Sequence, residues 1–272
     1  MNAGNKKHKI NRLQPGGDGY FRLKSTLRIL ENEQNWVGLK KSAEDMITLY
    51  PAAEIGWYTL GLALIKLKYN EEALIQLEKA LYLNPDMASA NVQMGIAYYN
   101  LKNFNKAVYH FQTAIAKGLD SHVLYYNLGN ACLRLNLRQA AIEAYTTSLR
   151  KCENYHKAAY ALFNLYFKNA QYTEALSFLK PIIDPNKLPN YLLAQAKLFY
   201  QNNPDVSRYH LLEAHRLLSC AISMDAAYGQ AYYERAYVNS KLDDMVGFHR
   251  DRNTAFVLTP ELRAIHATET YR

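Results

Sequence analysis

Residues 54–87 read EIGWYTLGLALIKLKYNEEALIQLEKALYLNPDM, and this stretch decides the fold. Trp57, Leu60, Leu64 and Leu67 fall three and four apart, so they share one face of a helix. Gly61 and Ala63 sit among them. The small Gly61 lets a second helix approach closely, and Ala73 supplies the matching small contact on that helix. Trp57 and Leu77 fill the space on either side. Lys68, Tyr69 and Asn70 form the turn, and Glu71 and Glu72 place acid at the start of the second helix, where the macrodipole favours it. Pro85 ends that helix, because proline cannot continue an interior hydrogen-bond ladder.

The same slots recur in the next stretch of equal length, 88–121, as Asn91, Met94, Gly95, Tyr98, Ala107, Phe111 and Ala114. In the stretch after that, 122–155, they hold Tyr125, Leu128, Gly129, Cys132, Ala141, Tyr145 and Ser148. A helix pair with this period and this order of large and small residues resembles the tetratricopeptide repeat family. The resemblance implies an all-α fold, a right-handed superhelical solenoid of about seven helix-turn-helix repeats. Each repeat contributes a helix A followed by a helix B.

The register continues upstream through Leu23, Leu27, Leu30, Leu39, Ala43, Met46 and Pro51. Downstream, 156–188 keeps Leu162, Tyr166, Ala175 and Leu179 but carries Phe163 in the small slot, and Pro181, Pro185 and Pro189 make its end irregular. Residues 189–228 carry Leu192, Ala196, Phe199, Ala214, Leu218 and Ala221, the second set arriving six positions late. The excess falls in the turn-rich stretch 201–207 around Asn202 and reads as a loop insertion, which costs little. A last repeat, 229–262, has Tyr232, Ala236, Phe248, Ala255 and Pro260. The organisation expected is therefore a flexible basic tail over 1–19, one solenoid over 20–262 and a capping helix or tail over 263–272. Degenerate terminal repeats fit a solenoid whose ends must face water.

Composition narrows the function classes. At 49% hydrophobic residues, the 272-residue chain can bury a continuous core, yet it has no run long enough for a membrane span. The start of the chain is polar and basic rather than apolar, so it does not read as a secretory signal, and an intracellular, cytoplasmic location is the default expectation. Cys132, Cys152 and Cys220 are odd in number and widely separated, and read as buried thiols. The net charge is +8; Lys6, Lys7, Lys9 and Arg12 against Asp18 account for +3 of it, in an arm that reads as solubilising.

The family resemblance also implies where a ligand lies. Helix A lines a concave groove, reached by positions 2, 5, 6, 9, 12 and 13 of each repeat, while positions 4, 7, 8 and 11 serve the core. Position 5 holds Lys24, Tyr58, Val92, Tyr126, Tyr160, Leu193 and Tyr233, and position 13 holds Asn32, Lys66, Asn100, Arg134, Lys168, Gln201 and Lys241. Gln93, Asn127, Asn130 and Asn164 add amides at positions 6 and 9. Counted over these positions, Lys24, Arg28, Lys66, Arg134, Lys157, Lys168, Lys197 and Lys241 face only Glu31 and Glu234, a balance of +6.

Tyrosine offers a broad ring with little entropy to lose, and an amide can pair with any peptide backbone. Together with the cations they suit an extended acidic protein segment. The contact residues expected are Tyr126, Asn127, Asn130, Arg134, Tyr160, Asn164 and Lys168, extended by Tyr58, Lys66, Tyr233 and Lys241. A chaperone-type carboxylate clamp is not supported: Lys24 and Arg28 begin one, but Thr59, Ser89 and Gln93 do not complete it.

Catalysis has no such support. His8, His110, His122, His156, His210, His215, His249 and His266 are scattered, and His210 and His215 lack the i, i+4 spacing of a helical zinc motif. There is no phosphate-cradling glycine loop and no nucleophile elbow. The reading is a non-catalytic scaffold or adaptor with no cofactor and no metal. Two alternatives stay open: nucleic-acid binding through the basic groove and tail, and a substrate-docking portion of a larger enzyme. The cations are spread one per repeat rather than massed in a stripe, which counts against nucleic acid. Self-association is also left open.

Overall fold

The protein, a computed structural model, is described over residues 15–179, 188–201 and 206–269, with side chains in the last stretch through Ile265. The basic residues 6–12, the prolines at 181 and 185, the centre of the expected insertion at 202–205 and the last three residues lie outside the described residues. Within them the chain is all helix. The first six helices are α1 (Asp18–Asn32), α2 (Trp36–Leu49), α3 (Glu54–Lys66), α4 (Asn70–Leu83), α5 (Ala88–Asn100) and α6 (Phe104–Ala116). Then come α7 (His122–Arg134), α8 (Arg138–Lys151), α9 (His156–Phe167), α10 (Tyr172–Leu179) and α11 (Pro189–Tyr200). The last four are α12 (Arg208–Met224), α13 (Gly229–Lys241), α14 (Met245–Leu258) and α15 (Leu262–Glu269). The odd-numbered helices α1 to α13 are the A helices and each packs on the B helix that follows it.

The chain divides into two compact units, Met1–Lys151 and Cys152–Arg272. Each is a solenoid of stacked helix pairs, as the period implied.

The close approach of A and B helices rests on three glycines in the first unit. A Cβ at Gly61 would lie 2.7 Å from Leu77, one at Gly95 2.5 Å from Phe111, and one at Gly129 2.6 Å from Tyr145. Leu77, Phe111 and Tyr145 are buried to within 1% of complete enclosure. Each such side chain adds roughly 1.5–3 kcal/mol from burial. Ser148 occupies the slot that Ala80 and Ala114 fill elsewhere; its buried hydroxyl donates to the His122 carbonyl at 2.7 Å, so no polar atom is stranded there.

The A-to-B turns share one backbone device. Gln34, Lys68, Lys102, Asn136 and Ala170 stand at the same slot of consecutive repeats, and all hold φ between 55° and 72°. This left-handed residue closes helix A, and the following amide bonds back into it, as Tyr69 N–H does to the Leu64 carbonyl at 2.9 Å. Helix starts are capped by side chains at Asn35, Asn103, Ser121, Ser207 and Asp244. Lys117 ties the B-to-A turns of consecutive repeats by bonding the Pro85 carbonyl at 2.7 Å and the Asp86 carboxylate at 3.2 Å. Lys151 and Asp120 form the same ion pair one repeat later.

The second unit adds polar chemistry to its core. Asp251, 1% exposed, accepts from Arg235 Nε at 2.6 Å, Arg235 Nη2 at 2.9 Å, Asn239 Nδ2 at 3.1 Å and Arg250 Nε at 3.2 Å. Phe163, the bulky replacement in the small slot, is fully buried and stacks on Phe167 and Tyr191.

Candidate functional site

The A helices α3, α5 and α7 touch one another in sequence within the first unit. They carry Glu54 as their single acid, with Lys66 and Arg134 as cations. Between α5 and α7 lies a hollow of about 240 Å³ lined by Ile96, Tyr99, Asn100, Asn127 and Asn130, with Phe111 of α6 in its wall. Two residues expected at the groove, Asn127 and Asn130, therefore share one hollow. Both are half-buried.

The amides around this hollow are held in defined orientations. Tyr145 Oη donates to Asn130 Oδ1 at 2.8 Å. With its oxygen engaged, Asn130 has its NH₂ left to donate. Burial pushes the Tyr145 hydroxyl well above its ordinary range, so it stays protonated and remains a donor. Across the hollow, Asn100 Nδ2 donates to Asn70 Oδ1 at 2.9 Å, and its own Oδ1 is left to accept. Asn127 makes no side-chain hydrogen bond among the described residues.

The cations sit on rings. The Arg134 guanidinium lies 4.6 Å from the Phe104 ring centre, and Lys66 Nζ lies 5.3 Å from that of Trp36. In both cases a position-13 cation covers the residue that opens helix B of the preceding repeat. Neither makes an ion pair among the described residues, and both are exposed. Tyr126 tilts against Tyr145 at 5.8 Å between ring centres. Tyr58 is half-buried; burial first, and then the charge of Glu31, raise its pKa.

The other expected contact residues belong to the second unit. Tyr160, 39% exposed, stacks on Phe163 along α9, which also carries the half-buried Asn164; Lys168 caps that helix, exposed. On α13, Tyr233 tilts against Phe256 at 6.4 Å, and Lys241 lies over Tyr237 at 5.6 Å.

One part of the charge count needs correction. Lys197 and Glu234 were counted as exposed groove charges, yet Glu234 is only 6% exposed. Its carboxylate takes Lys197 Nζ at 2.6 Å, Tyr200 Oη at 2.8 Å and Gln230 Nε2 at 2.9 Å. The pair is neutral and withdrawn from solvent, so the balance of +6 survives while Lys197 drops out of the binding set. Burial, then the neighbouring Glu234 charge, hold the Tyr200 hydroxyl far above its usual range.

Ile96, Tyr99 and Phe111 were not singled out as site residues. Ile96 and Tyr99 stand at positions 9 and 12, so the groove rule could have found them had it been applied to apolar side chains as well. Phe111 was assigned to the core, and it serves both. Among the described residues no group of three or more His, Cys, Asp or Glu side chains is placed to hold a metal ion. No described helix is long and apolar enough to cross a membrane.

Comparison with known proteins agrees with this architecture. Family models described as tetratricopeptide repeat match residues 55–87 and 122–150. No curated protein matches the chain in sequence. Among solved structures, PilF of Pseudomonas aeruginosa is similar with a TM-score of 0.57 at 14% identity, over 80% of this chain and 97% of that one. PilW, a type IV pilus biogenesis factor, gives 0.56 at 17% identity, over 86% and 99%. A tetratricopeptide repeat protein from Parabacteroides merdae gives 0.54 at 15% identity, over 89% and 94%. At these identities the structural likeness speaks for the fold alone. Together with the matched repeats, it supports a tetratricopeptide repeat fold for this chain.

Proposed function

We propose that the chain is a non-catalytic adaptor that holds an extended, acidic segment of a partner protein along the A-helix faces of its first unit. Tetratricopeptide repeats mediate contacts between proteins, and solenoids offer extended binding surfaces. The observation that carries the finer reading is the chemistry around the α5–α7 hollow. Asn100, Asn127 and Asn130 have hydrogen-bonding capacity to spare, and Lys66 and Arg134 on the flanking A helices are unmatched by acids. An extended segment presents one N–H and one C=O per residue, which amides can satisfy in any sequence. Exposed cations without local partners favour carboxylates and speed their encounter. Tyr160, Asn164, Lys168, Tyr233 and Lys241 offer the same chemistry on the second unit and are read as further contacts. A cytoplasmic location is part of this reading.

The test is capture of partners from an extract of the cells that make the protein, using wild type and Asn127→Ala/Arg134→Glu side by side. Each arm is run with and without nuclease. Both substitutions are outside the core, and Arg134 gives up only its contact with the Phe104 ring, so melting should change little. Proteins held by wild type, lost from the variant and indifferent to nuclease support the adaptor reading. Equal capture by both puts the interface elsewhere, and capture abolished by nuclease replaces the peptide with nucleic acid.

A further inference from the structure

Resting on that reading, we propose that the α5–α7 hollow is a specificity pocket. It seats one large apolar side chain of the bound segment, with an acidic residue of the same segment within reach of Arg134.

Three observations converge on this. The first is size and lining. About 240 Å³ falls below the roughly 300–1,000 Å³ that enclose a whole small molecule, and suits a single side chain with its own backbone. Ile96, Tyr99 and Phe111 give it an apolar wall, against which a large apolar side chain would be withdrawn from water.

The second is polarity. Asn100 keeps its Oδ1 to accept, because its bond to Asn70 uses Nδ2, and Asn130 keeps both N–H groups to donate, because its bond from Tyr145 uses Oδ1. A donor and an acceptor on either side of an apolar floor complement the C=O and N–H that flank a side chain in an extended peptide.

The third is the rim. Arg134 stands one turn beyond Asn130 on the same face of α7. Its guanidinium covers Phe104, whose ring meets Tyr99 edge-on at 5.3 Å, so the cation adjoins the pocket wall. The guanidinium makes no hydrogen bond or ion pair among the described residues, so its N–H groups are left for a carboxylate.

The preceding step of the solenoid shows that this is not a generic feature of the repeat. Shifted back by one repeat, Ile96, Tyr99, Asn100 and Asn130 become Leu62, Ile65, Lys66 and Ile96. Leu62 and Ile65 are only 4% exposed, so those side chains pack into the core instead of lining an open hollow. The donor and acceptor amides are both missing there.

The experiment selects phage-displayed random seven-residue peptides on the immobilised full-length protein. The strongest clone is then made as a fluorescein-labelled peptide and titrated by anisotropy. The expected outcome is convergence on Leu, Phe, Tyr or Trp at one position, with Asp or Glu within two residues. Replacing that apolar residue by Ala should weaken binding by about tenfold or more. Asn127→Phe, which fills the hollow from a half-exposed position, should do the same with an unchanged melting curve. Arg134→Ala, at an exposed position where it gives up only its contact with the Phe104 ring, should reduce the acidic preference and leave the apolar one.

Peptides that bind without a fixed apolar residue overturn the pocket. So does undiminished binding to Asn127→Phe when Asn127→Ala/Arg134→Glu has lost it; the groove would then stand without the pocket. Failure to enrich any peptide above an unrelated control protein overturns both readings together.

Discussion

Gly129→Val should lower the stability of the α7–α8 repeat by about 3 kcal/mol, although helix propensity alone argues the other way. Valine in place of glycine in a helix interior would gain a few tenths of a kcal/mol. Packing reverses the sign. The first added carbon would lie 2.6 Å from Tyr145 Cε1 and 2.7 Å from its Cδ1. Tyr145 has no solvent exposure and so no free space into which to move. Overpacking of this kind costs about 1–3 kcal/mol. Any shift of the ring also breaks its 2.8 Å bond to Asn130, worth about 1 kcal/mol more. Because each repeat contacts only its neighbours, the damage should be local. Amide hydrogen exchange of the full chain should show protection in α7 and α8 falling by about two orders of magnitude, with α1 and α2 unchanged. Unaltered exchange in α7 would mean that the two helices are not held together by this glycine.

Asp251→Asn should cost about 3–5 kcal/mol in the second unit, the range for a buried pair that loses one partner. The substitution keeps the shape, removes the charge and turns one accepting oxygen into a donating NH₂. Arg235, whose side chain is 14% exposed, would then be a cation facing a neutral amide in a desolvated site. Its bond to Ser219 Oγ at 3.1 Å cannot neutralise it. Asn239 and Arg250, which also donate to the carboxylate, would meet an amide that offers fewer acceptors. The expected readout is a lower denaturant midpoint and faster exchange in α13 and α14. Replacing both partners, as in Arg235→Met/Asp251→Leu, should recover part of the loss, since no charge is stranded and only the buried Asn239 amide loses an acceptor. Asp251→Asn with full stability would mean that the network contributes nothing net.

Much of this architecture is legible in the sequence because its determinants are local and repeated. Gly61, Gly95 and Gly129 each precede, at one fixed spacing, the large side chain they accommodate, so period and partner can be read together. The left-handed turn residue is less visible. Gln34, Lys68, Lys102, Asn136 and Ala170 share no chemistry that would announce a positive φ, and the geometry follows from how the two helices pack. At the site, Asn127 and Asn130 could be picked out by position. The donor character of Asn130 could not, because it depends on Tyr145, which reads as a core filler until its hydroxyl is seen to cross between helices. Lys197 and Glu234 are far apart along the chain and look like independent surface charges. That they meet under cover of Tyr200 is a tertiary fact.

The central claim is that partners lie on the A-helix faces of the first unit, and site-directed photocrosslinking addresses it most directly. A photoreactive phenylalanine analogue would replace Tyr99, in the wall of the hollow, or Tyr82 on the B helix α4, which is 77% exposed. Both proteins would be irradiated in the same cell extract. The account predicts a protein adduct from position 99, suppressed by adding Arg134→Glu, and none from position 82. An adduct from position 82 with nothing from position 99 would contradict it and move the binding surface to the B helices.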